Sequence, residues 1–407
     1  MTALPAPRFL DRTTPPHIAT LILLAGLAAL SLNVFLPSLP TMAAHFDVDY
    51  HAMQLSVPLY LVATAVIQIT AGPISDAFGR RRVMLAGTAI FALASLGALF
   101  APDYLTFMVC RMVQSAIATA FVLSRAVIRD TVSQDQAASK IGYVTMGMSV
   151  VPMIGPVIGG GLDEVFGWQA SFVLLAGSGI ATLVLVWADW GETAVIRKGG
   201  FAEQVRQYPG LLRSQRYWAY VLAAAFASGA FFAFLGGAPY VGDKIFGMDA
   251  ATVGFYFGAP AVGYLIGNFL SGRYAARVGI KQMVVFGGLI TTVGLSLLAL
   301  LTWAGFGGAP VFFGLIISVG LGNGVMLPSA NAGFLSVRPA LAGSAAGLGG
   351  AMMIGGGASL SALAGAVLTP TSGTMPLILL MLGSSAASLV CVWWVYLRER
   401  QLRMQGG

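Results

Sequence analysis

The chain has 407 residues, of which 57% are hydrophobic and only 9% charged, with a formal net charge of +7. A mean hydropathy of +0.83 describes a polypeptide whose solvent is mostly lipid, which excludes an ordinary water-soluble domain. The pI near 9.6 would suggest nucleic acid in a soluble protein, but here the basic residues sit in short loops at helix ends, and nucleic acid is excluded as a partner.

Twelve apolar segments are predicted to cross a bilayer as helices: 18–39, 53–73, 83–101, 105–128, 141–161 and 171–188, then 218–239, 252–271, 283–303, 311–331, 341–368 and 377–396. Each is near the roughly 20 apolar residues that a hydrocarbon core requires. The first follows a short basic leader, yet it is too long for a signal peptide and no small-residue cleavage site follows it, so it is read as a retained helix. Every basic residue except Arg111 and Lys244 falls on one side of these segments, from Arg8 and Arg12 through Arg80, Arg81 and Arg82 to Arg398, Arg400 and Arg403. The opposite connections carry Asp47, Asp49, Asp103, Asp163, Glu164, Asp243 and Asp249 beside Lys244. By the positive-inside rule both termini are expected in the cytoplasm.

The longest polar stretch, 191–216, divides the segments six and six, giving an N-terminal bundle over 1–190, a cytoplasmic linker over 191–216 and a C-terminal bundle over 217–407. Residues 203–217 mix Arg with Tyr and Leu, which suits a short helix lying in the interface. The halves repeat: at an offset of 200 residues Gly72, Gly79 and Gly87 align with Gly272, Gly279 and Gly287, and Arg81 with Lys281. A duplicated six-helix unit implies two copies related by an axis along the membrane normal, with a site between them near mid-membrane. The glycine runs 155–161 and 343–357 mark close helix contacts.

Cys110 and Cys391 both lie inside apolar segments, so neither a disulfide framework nor a metal site is expected, and no cofactor is implied. A membrane enzyme would need a clustered acid, base, nucleophile or metal ligand in the bilayer, and a channel would need a filter or re-entrant loop; neither pattern is present.

The stretch from Gly72, GPISDAFGRRR, sets an acid and arginines at the inner mouth of the second helix. It resembles the loop signature of the major facilitator superfamily. The resemblance implies an all-α fold of twelve helices in two pseudo-symmetric six-helix bundles, with an inner latch drawn from Gly72, Asp76, Gly79, Arg80 and Arg81. Ala77 departs from the basic residue often found there. A mere topology anchor would explain the arginines but not Asp76. The fifth segment carries Gly142, Gly155, Pro156, Gly159 and Gly160, similar to the signature of the antiporter branch, with Val151 where a further glycine is expected. Proline deletes a backbone donor and glycine removes the side chain, so such a helix bends and seals closely; the same residues also serve simple packing. FLPSLP from Phe35, SRAVIRD from Ser124, FGWQASF from Phe166 and LGNGVMLPSAN from Leu321 together look like the Bcr/CflA group of drug/proton antiporters.

Arg111 lies six residues inside the outer end of its segment, about 9 Å deep at 1.5 Å per residue, where snorkelling explains it poorly. A buried arginine is a functional candidate, and here it matches the family's fourth-helix signature with Gln114, although Ser115 replaces the usual glycine. The alternative is a structural arginine satisfied by backbone carbonyls and Gln114. Asn33 and Tyr60 lie at similar depth and are expected to share the cavity wall with Arg111, Tyr60 being otherwise a belt residue at the interface. In the second half Phe231, Phe232 and Phe234 are candidates for an apolar wall, with Asn323 and Asn331 adding hydrogen bonds; core or lipid-facing placement is the alternative.

Much of the Bcr/CflA group has an aspartate where this chain has Asn33, and asparagine does not titrate. No acid is expected deep in the membrane, so proton coupling would fall to Asp76 or to Asp130, which neighbours Arg129 on the inner side. What the resemblance implies is export of small amphipathic molecules by proton antiport from a bacterial inner membrane, by a monomer with a small-molecule substrate and protons as partners. An importer or facilitator of one metabolite is the alternative that Asn33 leaves open.

Overall fold

The computed structural model describes residues 6–131, 144, 151, 154–193, 212–337, 342–369 and 371–405. Eleven helices among them are long and apolar enough to cross a membrane. In chain order the helices are α1 (Ile18–Asn33), α2 (Ser56–Phe78), α3 (Arg80–Leu99), α4 in two pieces (Tyr104–Gln114 and Thr119–Thr131), α5 (154–166) and α6 (Gln169–Asp189). The second set is α7 (Gln215–Tyr240), α8 (Ala250–Val278), α9 (Ile280–Trp303), α10 (Ala309–Leu335), α11 (Ala342–Val367) and α12 (Met375–Gln405). Eleven of the twelve predicted segments coincide with these helices, and of the fifth, 141–161, the described part from 154 onward is helical. Most of the expected interfacial helix at 203–217, and Gly142 of the fifth segment, lie outside the described residues.

Two segments predicted as single helices are interrupted. The first ends as α-helix at Asn33 and continues through a 3-10 turn, Leu36–Ser38, into a short outer helix, Leu39–His45. Pro37 and Pro40 explain this, since each removes a backbone donor that an unbroken helix would use. The fourth is broken by a 3-10 turn, Ser115–Ala118, directly after Gln114. Another short helix, Tyr50–Gln54, leads into α2.

The duplication inferred from the glycine register has a backbone counterpart. Gly79 closes α2 at φ 94° and Gly279 closes α8 at φ 96°, a left-handed conformation that favours glycine. Gly87 brings α3 against Thr119 and the carbonyl of Ala116 in α4, and Gly287 brings α9 against the carbonyl of Gly322 and against Met326 in α10. Neighbour relations repeat as well: α3 packs on α4 and α6, and α9 on α10 and α12. With no hydrophobic effect between lipid-embedded surfaces, such small-residue crossings supply much of the association.

The outer helix starts are capped by acids, Asp103 accepting from the Thr106 N–H at 2.8 Å and Asp249 from the Thr252 N–H at 2.7 Å. These bonds hold both carboxyls below the usual carboxylate range. The halves meet at this outer end. Pro156 and Gly160 of α5 lie against Gly254 and Ala250 of α8, close enough that a Cβ on either glycine would overlap the opposing backbone.

Candidate functional site

Arg111 is fully buried, and what surrounds it is neutral. Its guanidinium lies over the rings of Tyr60, 3.8 Å from the centroid, and Phe35, 4.3 Å from the centroid. Nη1 donates to Gln114 Oε1 at 2.8 Å and to Ser31 Oγ at 3.3 Å. Gln114 passes its amide on to Ser95 Oγ at 2.8 Å, and the Tyr60 hydroxyl donates to the same Ser31 at 3.1 Å. Thus α1, α2, α3 and α4 each contribute one link. Among the described residues Nε and Nη2 have no hydrogen-bond partner, and no carboxylate forms an ion pair with the group. Two ring faces offset part of the desolvation of the cation, while two unmet donors keep it unsatisfied. Of the structural alternative, the bond to Gln114 is present and bonds to backbone carbonyls are absent among the described residues, while Tyr60, 2% exposed, is buried rather than set at an interface.

The local chain explains the cage. The break in α1 at Val34 and Phe35 turns the Phe35 ring inward, and the 3-10 turn after Gln114 starts four residues beyond Arg111. Asn33 is buried near the site but bonds to its own helix, Nδ2 donating to the Ala29 carbonyl at 2.6 Å, and its Oδ1 has no partner. It lies beside Gly155 of α5 rather than on Arg111, so the expected shared wall of Asn33, Tyr60 and Arg111 is met by the last two. In this conformation the guanidinium is sealed from solvent.

The second-half candidates are dispersed. Phe232 is half-buried against Gly357 of α11 and beside Phe231, whereas Phe234 sits in the core with Phe257 and Phe313, so it is no cavity wall. Asn323 is buried with Oδ1 unpartnered, and Asn331 is partly exposed.

On the inner side Arg80 is buried, donating through Nε to Asp130 Oδ2 at 2.8 Å and through Nη1 to Ser75 at 2.8 Å. Glu192 caps the start of α3, accepting from the Arg80 and Arg81 N–H groups, and Arg81 also reaches the Trp187 carbonyl at 2.8 Å. The described partners bind α2, α3, α4, the end of α6 and the start of the linker together. Gly72 meets Val122 of α4 at ordinary distance. The side chains of Asp76 and Arg129 lie outside the described residues. Of the antiporter glycines, Gly155 and Gly159 pack on α1, and Gly160 on α8.

Three residues passed over in the sequence are prominent in space. Asp189 is fully buried at the inner end of α6 and accepts from the Leu10 and His17 N–H groups and the Thr20 hydroxyl, tying down the N-terminal leader. Asp163 accepts from Thr41 at 3.0 Å, joining α5 to the outer helix after α1. Gln54 reaches from the N-terminal half into the C-terminal half, donating to the Ser361 carbonyl at 2.7 Å. An acid or amide at a helix end carries no periodicity, so these residues left no signal beyond the polarity of Gln54 near the head of the apolar segment 53–73.

A repeated set of membrane-crossing helices, with a buried arginine caged inside the first half, describes a multi-pass membrane protein. The sequence profile of the Major Facilitator Superfamily matches residues 21–362, and the chain belongs to that family. It is 28% identical to the bicyclomycin resistance protein homolog of Haemophilus influenzae over 403 residues, 97% of this chain and 99% of the relative. It is 26% identical to multidrug resistance protein D of Escherichia coli over 393 residues, 93% of this chain and 95% of that one. A chloramphenicol resistance protein of Pseudomonas aeruginosa is 29% identical over 287 residues, 69% of this chain and 68% of its own. These relatives are of the Bcr/CflA type, as the motifs at Phe35, Ser124, Phe166 and Leu321 imply.

Proposed function

We propose that the protein exports small amphipathic molecules from the cytoplasm by proton antiport, alternating access around the Arg111 region, as a monomer in the bacterial inner membrane with both termini cytoplasmic. The observation that carries this reading is Arg111 itself: a fully buried cation with two unmet donors and aromatic faces beside it. Such a group attracts a neutral or anionic acceptor with an apolar body and repels lipophilic cations. Relatives named for resistance to bicyclomycin, chloramphenicol and multiple drugs support efflux as the direction. With Asn33 unable to titrate, the proton is carried by a carboxylate nearer the inner end, Asp76 before Asp130, because Asp130 is already engaged by Arg80 within one half.

A second reading, an importer or facilitator of a single metabolite without proton exchange, draws on Asn33, whose amide bonds to its own helix. Proteoliposomes holding a pH dye, given an imposed proton gradient and a panel of neutral, anionic and cationic compounds, separate the two. Antiport is upheld by a neutral or anionic compound moving uphill while the gradient collapses; simple equilibration without proton flux selects the facilitator. Asn33→Asp is expected to add transport of lipophilic cations, and failure to do so would remove the argument from charge at this site.

A further inference from the structure

The short helix Tyr50–Gln54 ahead of α2 belongs to the N-terminal half, yet its last residue is enclosed by the other half. Gln54 is 1% exposed and Nε2 donates to the Ser361 carbonyl of α11 at 2.7 Å. Its slot is cut by two glycines: a Cβ on Gly236 of α7 would lie 2.8 Å from Gln54 Nε2, and a Cβ on Gly365 of α11 would overlap Gln54 Oε1. Two further contacts cross at the same place, the Tyr50 ring 5.0 Å and the His51 ring 6.0 Å from that of Tyr240 in α7. Tyr104 at the head of α4 holds the arm from behind, its hydroxyl donating to the Ala52 carbonyl at 2.6 Å.

We propose that Gln54 is the bolt of the outer gate: a polar side chain of one half that inserts into a glycine-cut slot of the other when the outer side is closed, and withdraws when it opens. A glutamine suits this better than an apolar or charged residue. Out of the slot its amide is satisfied by water, and in the slot by a backbone carbonyl, so both states are low in energy and the gate does not jam. The two glycines are needed because any side chain there would occupy the space of the amide. Gln54 thereby acts on the conformational equilibrium and not on the cargo.

This inference rests on the alternating-access part of the proposed function, but its test needs neither substrate nor protons, so the two can fail separately. In full-length protein carrying Cys110→Ala and Cys391→Ala, a Ser38→Cys reporter is buried where the turn Leu36–Ser38 lies against the C-terminal half. Its rate of reaction with a membrane-impermeant maleimide reads opening of the outer side. Adding Gln54→Ala is expected to raise the rate about two- to tenfold, the factor that one lost hydrogen bond allows. Gly365→Ala is expected to raise it about five- to hundredfold, the range for an overpacked contact. Combining the two should bring the rate back to that of Gln54→Ala alone, because the added methyl then has room. An unchanged rate in Gln54→Ala, or a double variant in which the effects simply add, would overturn the proposal.

Discussion

At the scale of the residue, Arg111 sets stability against function. A guanidinium stays protonated, and here it is held away from water with two donors unmet and only ring faces and amide or hydroxyl oxygens beside it. Replacing buried ionic groups by apolar side chains of similar size often stabilises a protein by about 1–4 kcal/mol, and this site has no ion pair to lose. Arg111→Met is therefore expected to raise the melting temperature in detergent while abolishing transport of every compound the native protein moves. A fall in melting temperature would mean that the arginine is a structural strut. Its isolation in an apolar stretch was legible from the sequence. The ring of Phe35 was not, because it depends on a chain break at Val34 that hydropathy does not register, although Pro37 and Pro40 were visible signs of it.

Asp163 offers a second residue-scale test, with a sign that can be worked out. It lies beyond the apolar part of α5, and burial pushes its carboxyl above the usual 3.8, against the opposing hydrogen bond from Thr41. An acid whose folded-state pKa is raised binds its proton more tightly when folded, so it favours the folded state below 3.8 and loses that contribution as pH rises through the folded value. At neutral pH the buried ionised group is a burden. Asp163→Asn, which can still accept from Thr41, is expected to melt higher than the native protein at pH 7, with the difference vanishing as the pH is lowered towards 3.8. A gain independent of pH would show that the shift has no part in it.

Elements are held in contact by glycines whose importance is graded by what faces them. At Gly320 of α10 a Cβ would overlap the carbonyl of Pro260 in α8, and backbone cannot step aside as a flexible side chain can. Six residues earlier in the same helix, Gly314 faces open space. Gly320→Ala is expected to destabilise by about 1–3 kcal/mol through overpacking, and Gly314→Ala to be neutral or slightly stabilising through helix propensity. Thermal unfolding of the two variants decides it; equal effects would mean that the α8–α10 crossing yields easily. The spans themselves were legible in the sequence because length and apolarity are local properties. So was the repeat, whose register reappears as matching left-handed glycines at the ends of α2 and α8. Pairings such as Gln54 with Ser361, 307 positions apart, or Asp189 with His17 of the leader, 172 apart, leave no periodic trace.

For the whole molecule, the distribution of charge and the distribution of contacts point to one asymmetric machine. The outer ends of the halves are locked together by neutral pairs, Pro156 and Gly160 on Gly254 and Ala250, and Gln54 in its slot. At the other end, the described bonds of Arg80, Asp130 and Glu192 tie α2, α3 and α4 to the start of the linker. Rocking of the halves would then break few charge interactions at the end that carries Gln54. Orientation follows from where the cations stand: moving Arg80, Arg81 and Arg82 across the bilayer would cost several kcal/mol each on insertion scales, whereas the outer loops carry mainly acids, which matter little. A green fluorescent protein fused after Gly407 is therefore expected to fluoresce, and alkaline phosphatase fused there to stay inactive. Phosphatase activity at that end would invert the topology, turning the end at which Gln54 bolts the halves towards the cytoplasm.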